Sequence, residues 1–313
     1  MPSLLSPLRS LALPVTVLAA LSQGCVAEKC ETADGKEATC ISVPDRFEAP
    51  TLEQTLTGDY EPGSDLRIKG VYGDINVRAG TAGEVSLRVR PFAYGTHDSK
   101  DEAFEKMRDK LYAEIANDGN AVAITTWRDD TKLPLVGADL DIYLPPEFDG
   151  GLVVENQGNG TWNPGNIKVF EAAEARSVEV RATSLSDCQL QLGPTVTYTA
   201  VRCDGDIRVV GASDDVSLET QGQLGNIEVQ LVNIEPTSSG GRFKAGSDIR
   251  VIFPSGDDFS VQATGGKLVD FGGLPAASCS VEAAAENSKS ATCGDGGPLY
   301  EITSLDGTVK ASF

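Results

Sequence analysis

The chain has 313 residues, of which 40% are hydrophobic and only 6% aromatic. That is enough apolar material for one or two domains, with cores built from Val, Ile, Leu and Ala. Lys and Arg number 26 against 46 Asp and Glu, a net charge of −20, which excludes a nucleic-acid binder working through a basic face and a polybasic membrane-surface module. His97 is the single histidine, so mechanisms and zinc sites that need two histidines are excluded as well.

Residues 1–24 hold no acid and one base, Arg9, and residues 11–21 are an eleven-residue apolar run. A bilayer span needs about twenty such residues. A basic start, a short apolar middle and small residues after it read as a secretory signal over residues 1–24. The stretch Ser22-Gln23-Gly24-Cys25 resembles the lipobox of bacterial lipoproteins, with Leu21 one place upstream of its usual position and Ser22 standing there instead. The resemblance implies cleavage before Cys25, acylation of that cysteine, and attachment to a bacterial membrane through the acyl chains. Several chains hold a protein to a bilayer where one does not. The expected location is extracytoplasmic, as an outer-membrane or periplasmic lipoprotein of the cell envelope.

With Cys25 set aside, six cysteines remain: Cys30, Cys40, Cys188, Cys203, Cys279 and Cys293. Proximity suggests three local disulfides, 30 with 40, 188 with 203 and 279 with 293, among the many connectivities six cysteines allow. Disulfides suit an exported, oxidising location. No CxxC is present, so redox-motif and zinc-ribbon readings have no support.

Residues 25–60 are polar and acidic, and read as a tether with a segment that covers an edge of the domain beyond it. Residues 61–313 carry a different pattern. Gly73-Asp74-Ile75-Asn76-Val77 returns as Gly165-Asn166-Ile167-Lys168-Val169, as Gly205-Asp206-Ile207-Arg208-Val209 and as Gly225-Asn226-Ile227-Glu228-Val229. Variants are Gly63-Ser64-Asp65-Leu66-Arg67-Ile68, Gly246-Ser247-Asp248-Ile249-Arg250-Val251 and a degenerate Gly307-Thr308-Val309-Lys310-Ala311. Each is a turn followed by a period-two strand. Gly supplies positive φ, Asp or Asn bonds its own backbone in the turn, and Ile and Val then point one way. The spacing is close to multiples of twenty residues, with intermediate rungs at residues 178–180 and 190–192. An all-strand repeat of this length predicts an all-β fold: a single-stranded β-solenoid, or β-helix, of about 20-residue coils stacking a column of Ile and Val. A larger duplication overlays it. Leu140-Asp141-Ile142-Tyr143-Leu144-Pro145 and Ile249-Arg250-Val251-Ile252-Phe253-Pro254 are each followed by a second strand and a Gly-rich turn.

These runs resemble the bacterial adhesin-like β-solenoid domains of unknown function, whose hallmark is a repeated Gly-x-Ile-x-Val rung and an aliphatic-x-aliphatic-Pro step. The matching stretches run from about 140 to 311, with weaker matches at 62–90. The resemblance implies an extracytoplasmic, non-enzymatic protein and brings no catalytic residues.

Residues 99–116 break the strand pattern. Phe104, Met107, Leu111 and Ile115 fall on one helical face, Asp98 or Ser99 stands at the N-cap, and Asn117-Asp118-Gly119 closes it. This predicts an amphipathic helix inserted near 99–116 that hides an early sheet edge.

Little in the chain points to chemistry. His97 reads as a solvated turn residue, and no G-x-S-x-G elbow is present. Asp65, Asp74, Asp206 and Asp248 recur at similar coil positions and form a prospective surface ladder. They are turn formers in one reading and the carboxylates of a carbohydrate-active or polysaccharide-binding solenoid in the other. Asn in their place at 166 and 226 suits turns. The EF-hand and Gly-rich calcium patterns are absent, which leaves a solvated acidic surface as the default over bound calcium. Trp127 and Trp162 are the rings able to stack on a sugar, against a core-packing role. The sequence therefore predicts no cofactor, no metal site, no nucleic-acid partner, and an unnamed envelope protein or glycan as partner of a flat face.

Overall fold

The structure is a computed structural model, and it describes residues 26–31, 37–42, 45–95, 100–128, 136–156, 165–172, 175–183, 186–213 and 215–313. The signal segment, Cys25, His97 and Trp162 lie outside the described residues. The chain divides into two units, Met1–Pro44 and Asp45–Phe313. In the first, β1 (Val26–Glu31) and β2 (Glu37–Ser42) pair antiparallel, with Cys30 opposite Ala38 and Cys40 opposite Glu28.

The second unit is mostly β. In chain order it comprises β3 (Asp45–Glu48), β4 (Gln54–Asp59), β5 (Asp65–Gly70), β6 (Ile75–Ala79), β7 (Glu84–Gly95), α1 (Lys100–Lys110), β8 (Leu111–Asp118), β9 (Ala121–Arg128), β10 (Val136–Leu144), β11 (Gly151–Asn156), β12 (Ile167–Ala172), β13 (Ser177–Ala182) and β14 (Cys188–Leu192). It continues with β15 (Tyr198–Cys203), β16 (Ile207–Ser213), β17 (Asp215–Thr220), β18 (Ile227–Asn233), β19 (Gly241–Ala245), β20 (Ile249–Ile252), β21 (Phe259–Thr264), β22 (Leu268–Gly273), β23 (Cys279–Ala285), β24 (Ser288–Cys293), β25 (Leu299–Ser304) and β26 (Thr308–Ser312). Residues 45–60, grouped with the tether by composition, form two strands that both pair with β7.

Two large sheets result. Sheet I runs β22-β26-β20-β18-β16-β14-β12-β6-β10-β7-β3, with β4 also on β7, and sheet II runs β23-β24-β21-β25-β19-β17-β15-β13-β11-β5-β9-β8. From β11 to β20 successive strands alternate between the sheets, and each of β11 to β18 pairs in parallel with the strand two places on in sequence. The repeat is thus a pair of strands, one per sheet. The rung at 190–192 lies in sheet I between those of β12 and β16, and the rung at 178–180 lies in sheet II.

Register makes two buried columns. In sheet I, Leu140, Ile75, Ile167, Cys188, Ile207, Ile227, Ile249, Val309 and Val269 stand successively opposite one another. In sheet II the matching run is Ile124, Ile68, Val154, Val180, Val201, Leu218, Phe243, Ile302 and Ala263. All belong to one buried cluster, and burying each larger aliphatic side chain contributes about 1.5–3 kcal/mol. Order in space departs from order in sequence twice. The β5–β6 layer lies between those of β9–β10 and β11–β12, and the β25–β26 layer between those of β19–β20 and β21–β22. The sixty-residue interval from Ile249 to Val309 is therefore a direct contact between neighbours, and needs no intermediate rungs. The duplicated strand–Pro–strand segments, β10 to β11 and β20 to β21, each step over a layer; the chain also passes β10 between β6 and β7, and β21 between β24 and β25.

The helix is shorter than its sequence pattern. It ends at Lys110, and residues 111–118 are strand β8, paired antiparallel with β9 through the two-residue Gly119-Asn120 loop, with Gly119 at φ 62°. Leu111, Ala113 and Ile115 alternate with the outward Tyr112 and Glu114, a period-two pattern that also satisfies a helical spacing over so short a run. The Gly turn expected to stop a helix closes a hairpin instead. The helix packs against β7 and β10 of sheet I and β8 of sheet II, with Met107 buried in the common core. Asp98 and Ser99, the expected caps, lie outside the described residues.

Two disulfides hold the body. Cys188, in the sheet I column, joins Cys203 at the end of β15 in sheet II (Cα–Cα 6.3 Å), tying the two sheets together between the neighbouring β13–β14 and β15–β16 layers. Cys279 and Cys293 face each other across the β23–β24 hairpin (Cα–Cα 4.1 Å). Loops of this length gain about 3 kcal/mol from closure.

One inward position works against the fold. The Thr199 side chain is buried between Val178 and Val216, and its hydroxyl has no hydrogen-bond partner. Thr199→Val keeps the shape and removes the unsatisfied group. It should stabilise the protein by about 1 kcal/mol, read as a raised denaturation midpoint; an unchanged or lowered midpoint would show the hydroxyl to be satisfied.

Candidate functional site: carboxylate ladder and outer faces

The Asp and Asn residues of the turns into sheet I make one continuous ladder. The backbone N–H of Asp74 donates to Asp139 Oδ1 (2.9 Å), that of Asn166 to Asp74 (2.8 Å), and that of Asp187 to Asn166 (3.0 Å). Asp206 then donates to Asp187 (2.8 Å), Asn226 to Asp206 (2.8 Å), Asp248 to Asn226 (3.0 Å) and Thr308 to Asp248 (2.7 Å). Each side chain accepts from the equivalent residue of the next layer. Either Asp or Asn supplies the acceptor oxygen, which is why they interchange. Asp65 stands apart from this ladder. It opens a sheet II strand, accepts from Gly151 N (2.9 Å) and pairs with Arg176, so Gly63-Ser64-Asp65 and Gly246-Ser247-Asp248 occupy different corners despite their likeness.

The glycines of these turns also differ from expectation. Gly73 and Gly165 have positive φ (116° and 102°), whereas Gly225 and Gly307 are not among the positive-φ glycines. A Cβ on Gly225 would crowd the Gly205 carbonyl, and one on Gly307 would run into the Ser247 backbone. Close approach between layers, rather than a left-handed turn, demands glycine there. Inward polar residues at the ends of sheet II strands brace the same turns. Asn156 Nδ2 donates to Gly73 O (2.9 Å), Thr220 Oγ1 accepts from Gly246 N (3.0 Å), and Ser304 Oγ accepts from Gly307 N (2.8 Å). Cys203, opposite Thr220 in register, uses its disulfide at the equivalent place.

A denser charge cluster lies on the outer face of sheet I. Asp139 and Asp141, alternate residues of β10, are 4% and 8% exposed. Arg46 and Arg90 pair with Asp139; Arg90 Nε also donates to Asp141 Oδ2 (3.0 Å), and Asn76 Nδ2 donates to Asp141 Oδ1 (3.0 Å). The Arg46 guanidinium lies 3.9 Å over the Phe92 ring. Burial opposes the Arg90 charge, but its hydrogen bond to Asp141 and the charges of both carboxylates outweigh that and push its pKa up. Two carboxylates this close resemble a catalytic pair, yet both are committed to arginines and to an amide from neighbouring strands. Sequence reading passes over them because apolar neighbours dominate β10. The available signal is Arg88-x-Arg90 and Asp139-x-Asp141, which only strand register brings together.

Sheet II presents the other outer face. Trp127 and Tyr112 sit directly opposite each other on β9 and β8, stacked at 5.4 Å and both more than one-third exposed. Of the two tryptophans singled out, Trp127 is thus an outward ring. Further along, Arg181 is paired with Glu155 and Glu179, Arg202 and Lys244 with Glu219, and Arg242 with Glu301. The hydrogen bond from Lys244, then the pairing with Arg202, hold the Glu219 carboxyl below its ordinary pKa against partial burial. Among the described residues no three potential metal ligands converge, and no helix is long and apolar enough to cross a membrane.

No protein family and no curated protein matches the chain. Among solved structures it is similar to a putative cell adhesion protein from Clostridium sporogenes, at 10% identity over 83% of this chain and 99% of that one, with a TM-score of 0.30. It is also similar to a putative adhesin from Bacteroides fragilis, at 12% identity over 83% and 96%, with a TM-score of 0.37. A third likeness, to a putative adhesin from Parabacteroides merdae, has 8% identity over the same shares and a TM-score of 0.35. Likenesses of this strength carry no argument, and the function proposed for the protein rests on the chain itself.

Proposed function

We propose that the protein is an exported envelope lipoprotein, anchored through acyl chains on Cys25, whose two sheets are the walls of a β-solenoid. Its role is non-enzymatic. It holds the outer face of sheet II away from the membrane for an envelope protein or glycan, as an adhesin or scaffold does. The observation that carries this reading is the ladder: the carboxylates and amides that repeat along the chain are spent on bonds between layers. Cys30 and Cys40, two register positions apart on the β1–β2 hairpin, supply a third disulfide in this account.

Two measurements test it. Intact mass of the protein from its native envelope should match cleavage before Cys25 plus acyl chains, and reduction should add two hydrogens per disulfide. An unacylated mass removes the anchor. Second, the full chain should be retained on purified envelope material, and the double variant Ala123→Glu/Ala200→Glu, which plants charges on the outer face of sheet II, should lose about tenfold in retention, as like charges suppress a contact. Equal retention would remove that face as the binding surface.

A further inference from the structure

On the outer face of sheet II, Ala200 of β15 lies opposite Ser217 of β17, and the surface sinks over them into a hollow of about 210 Å³. Side chains alternate along a strand, so Tyr198 and Arg202 stand on the same face at either end of Ala200. Glu179, opposite Ala200 on β13, closes a third side. Tyr198 is 40% exposed, like Tyr112 and Trp127 on the same face.

The charges around the hollow are arranged unusually. Arg181 and Arg202 are directly opposite one another on β13 and β15, where like charges destabilise a sheet. Arg202 donates Nε and Nη2 to Glu219 Oε2 (3.2 and 2.9 Å), and Arg181 donates to Glu155 and Glu179 (3.4 and 3.3 Å). Glu155 and Glu219 approach from the strands flanking the pair and Glu179 from β13 itself, and these carboxylates hold the two guanidiniums while Arg181 Nε and Arg202 Nη1 donate to none of the three. Held donors lose little freedom when they bind a ligand.

We infer that this hollow seats an acidic sugar, a uronate unit of a polysaccharide, in deepening of the reading of sheet II as the binding face. The floor of Ala200 and Ser217 admits a pyranose ring, and the Tyr198 ring offers an apolar platform beside it. Ser217 and Glu179 exchange hydrogen bonds with its hydroxyls. The sugar carboxylate lies between Arg181 and Arg202, where planar guanidiniums match it best.

The test is calorimetric titration of the detergent-solubilised full chain with hexagalacturonate, and with maltohexaose as an uncharged hexasaccharide. Hexagalacturonate should bind at least about tenfold more tightly than maltohexaose. Tyr198→Ala and Arg202→Gln should each weaken it by about tenfold, and Ala200→Glu should abolish it. These positions face solvent, and an unchanged circular dichroism spectrum shows that the variants fold. Arg108→Gln, on the helix, should change nothing. Absence of binding, equal affinity for maltohexaose, or insensitivity to Tyr198→Ala and Arg202→Gln would overturn the assignment. If hexagalacturonate fails while envelope retention still falls in Ala123→Glu/Ala200→Glu, the sugar is wrong and the binding face stands. If both fail, both fall.

Discussion

Gly165→Ala should cost about 4 kcal/mol or more of stability, enough to leave much of the chain unfolded. Two effects add. Gly165 has φ 102°, a conformation an L side chain resists at about 1–3 kcal/mol. A Cβ there would also overlap the backbone of Gly73 in the next layer. That layer has no room to withdraw, because Asn166 N is bonded to Asp74 Oδ1 and Ile167 is in register with Ile75 on either side of a close-packed column. Gly63→Ala separates the two effects. Gly63 also has positive φ (84°), but a Cβ there would meet nothing within 4 Å, so only the backbone strain of about 1 kcal/mol remains. Denaturant titration of both variants checks this. Equal losses would mean that layer contact does not decide the glycine.

Asp139→Ala should be the next most damaging change, at about 3 kcal/mol. It withdraws the acceptor of Asp74 N at the start of the ladder and leaves Arg46 and Arg90 facing each other without one of their counter-charges. The arginines are about one-third exposed (32% each), so water recovers part of the loss, which places the value at the lower end for a broken buried pair. Asp139→Asn should cost roughly half as much, since its amide oxygen still accepts from Asp74 N while the charge is gone. Glu301→Ala, which breaks the exposed pair with Arg242, should leave the unfolding midpoint almost unmoved. If Asp139→Ala behaves like Glu301→Ala, the cluster is surface decoration, and its carboxylates are open to another role.

The strands were legible because the signal is local: a glycine, an Asp or Asn, then alternating Ile and Val. The ladder was legible in part for the same reason, through Asp74, Asp206, Asp248 and the exchange of Asp for Asn at 166 and 226, whereas Asp65 was counted into it and Asp139 and Asp187 were not. What stayed hidden depends on partners distant in sequence. Asp139 and Asp141 look unremarkable until β7 and β3 deliver Arg90 and Arg46. Tyr198 and Arg202 look like ordinary strand polarity until the small residues between and beside them leave a hollow. The helix boundary was misplaced because Leu111 and Ile115, four apart, fit a helical face as well as one side of a strand. Only pairing with β9 separates the two. Gly63-Ser64-Asp65 and Gly246-Ser247-Asp248 have the same local chemistry and lie in different sheets, a distinction no local pattern holds.

The last strands of the chain, β25 and β26, are bordered on both sides, by β19 and β21 in one sheet and by β20 and β22 in the other. Repeat proteins commonly melt from their terminal units, because a terminal unit has only one neighbour. Here the β25–β26 layer is wedged between two others, so it cannot fray without first parting from both. Amides of β25 and β26 should accordingly exchange with solvent as slowly as those of the central layers, and a pull applied to β26 would load the interior of the stack instead of peeling off its rim.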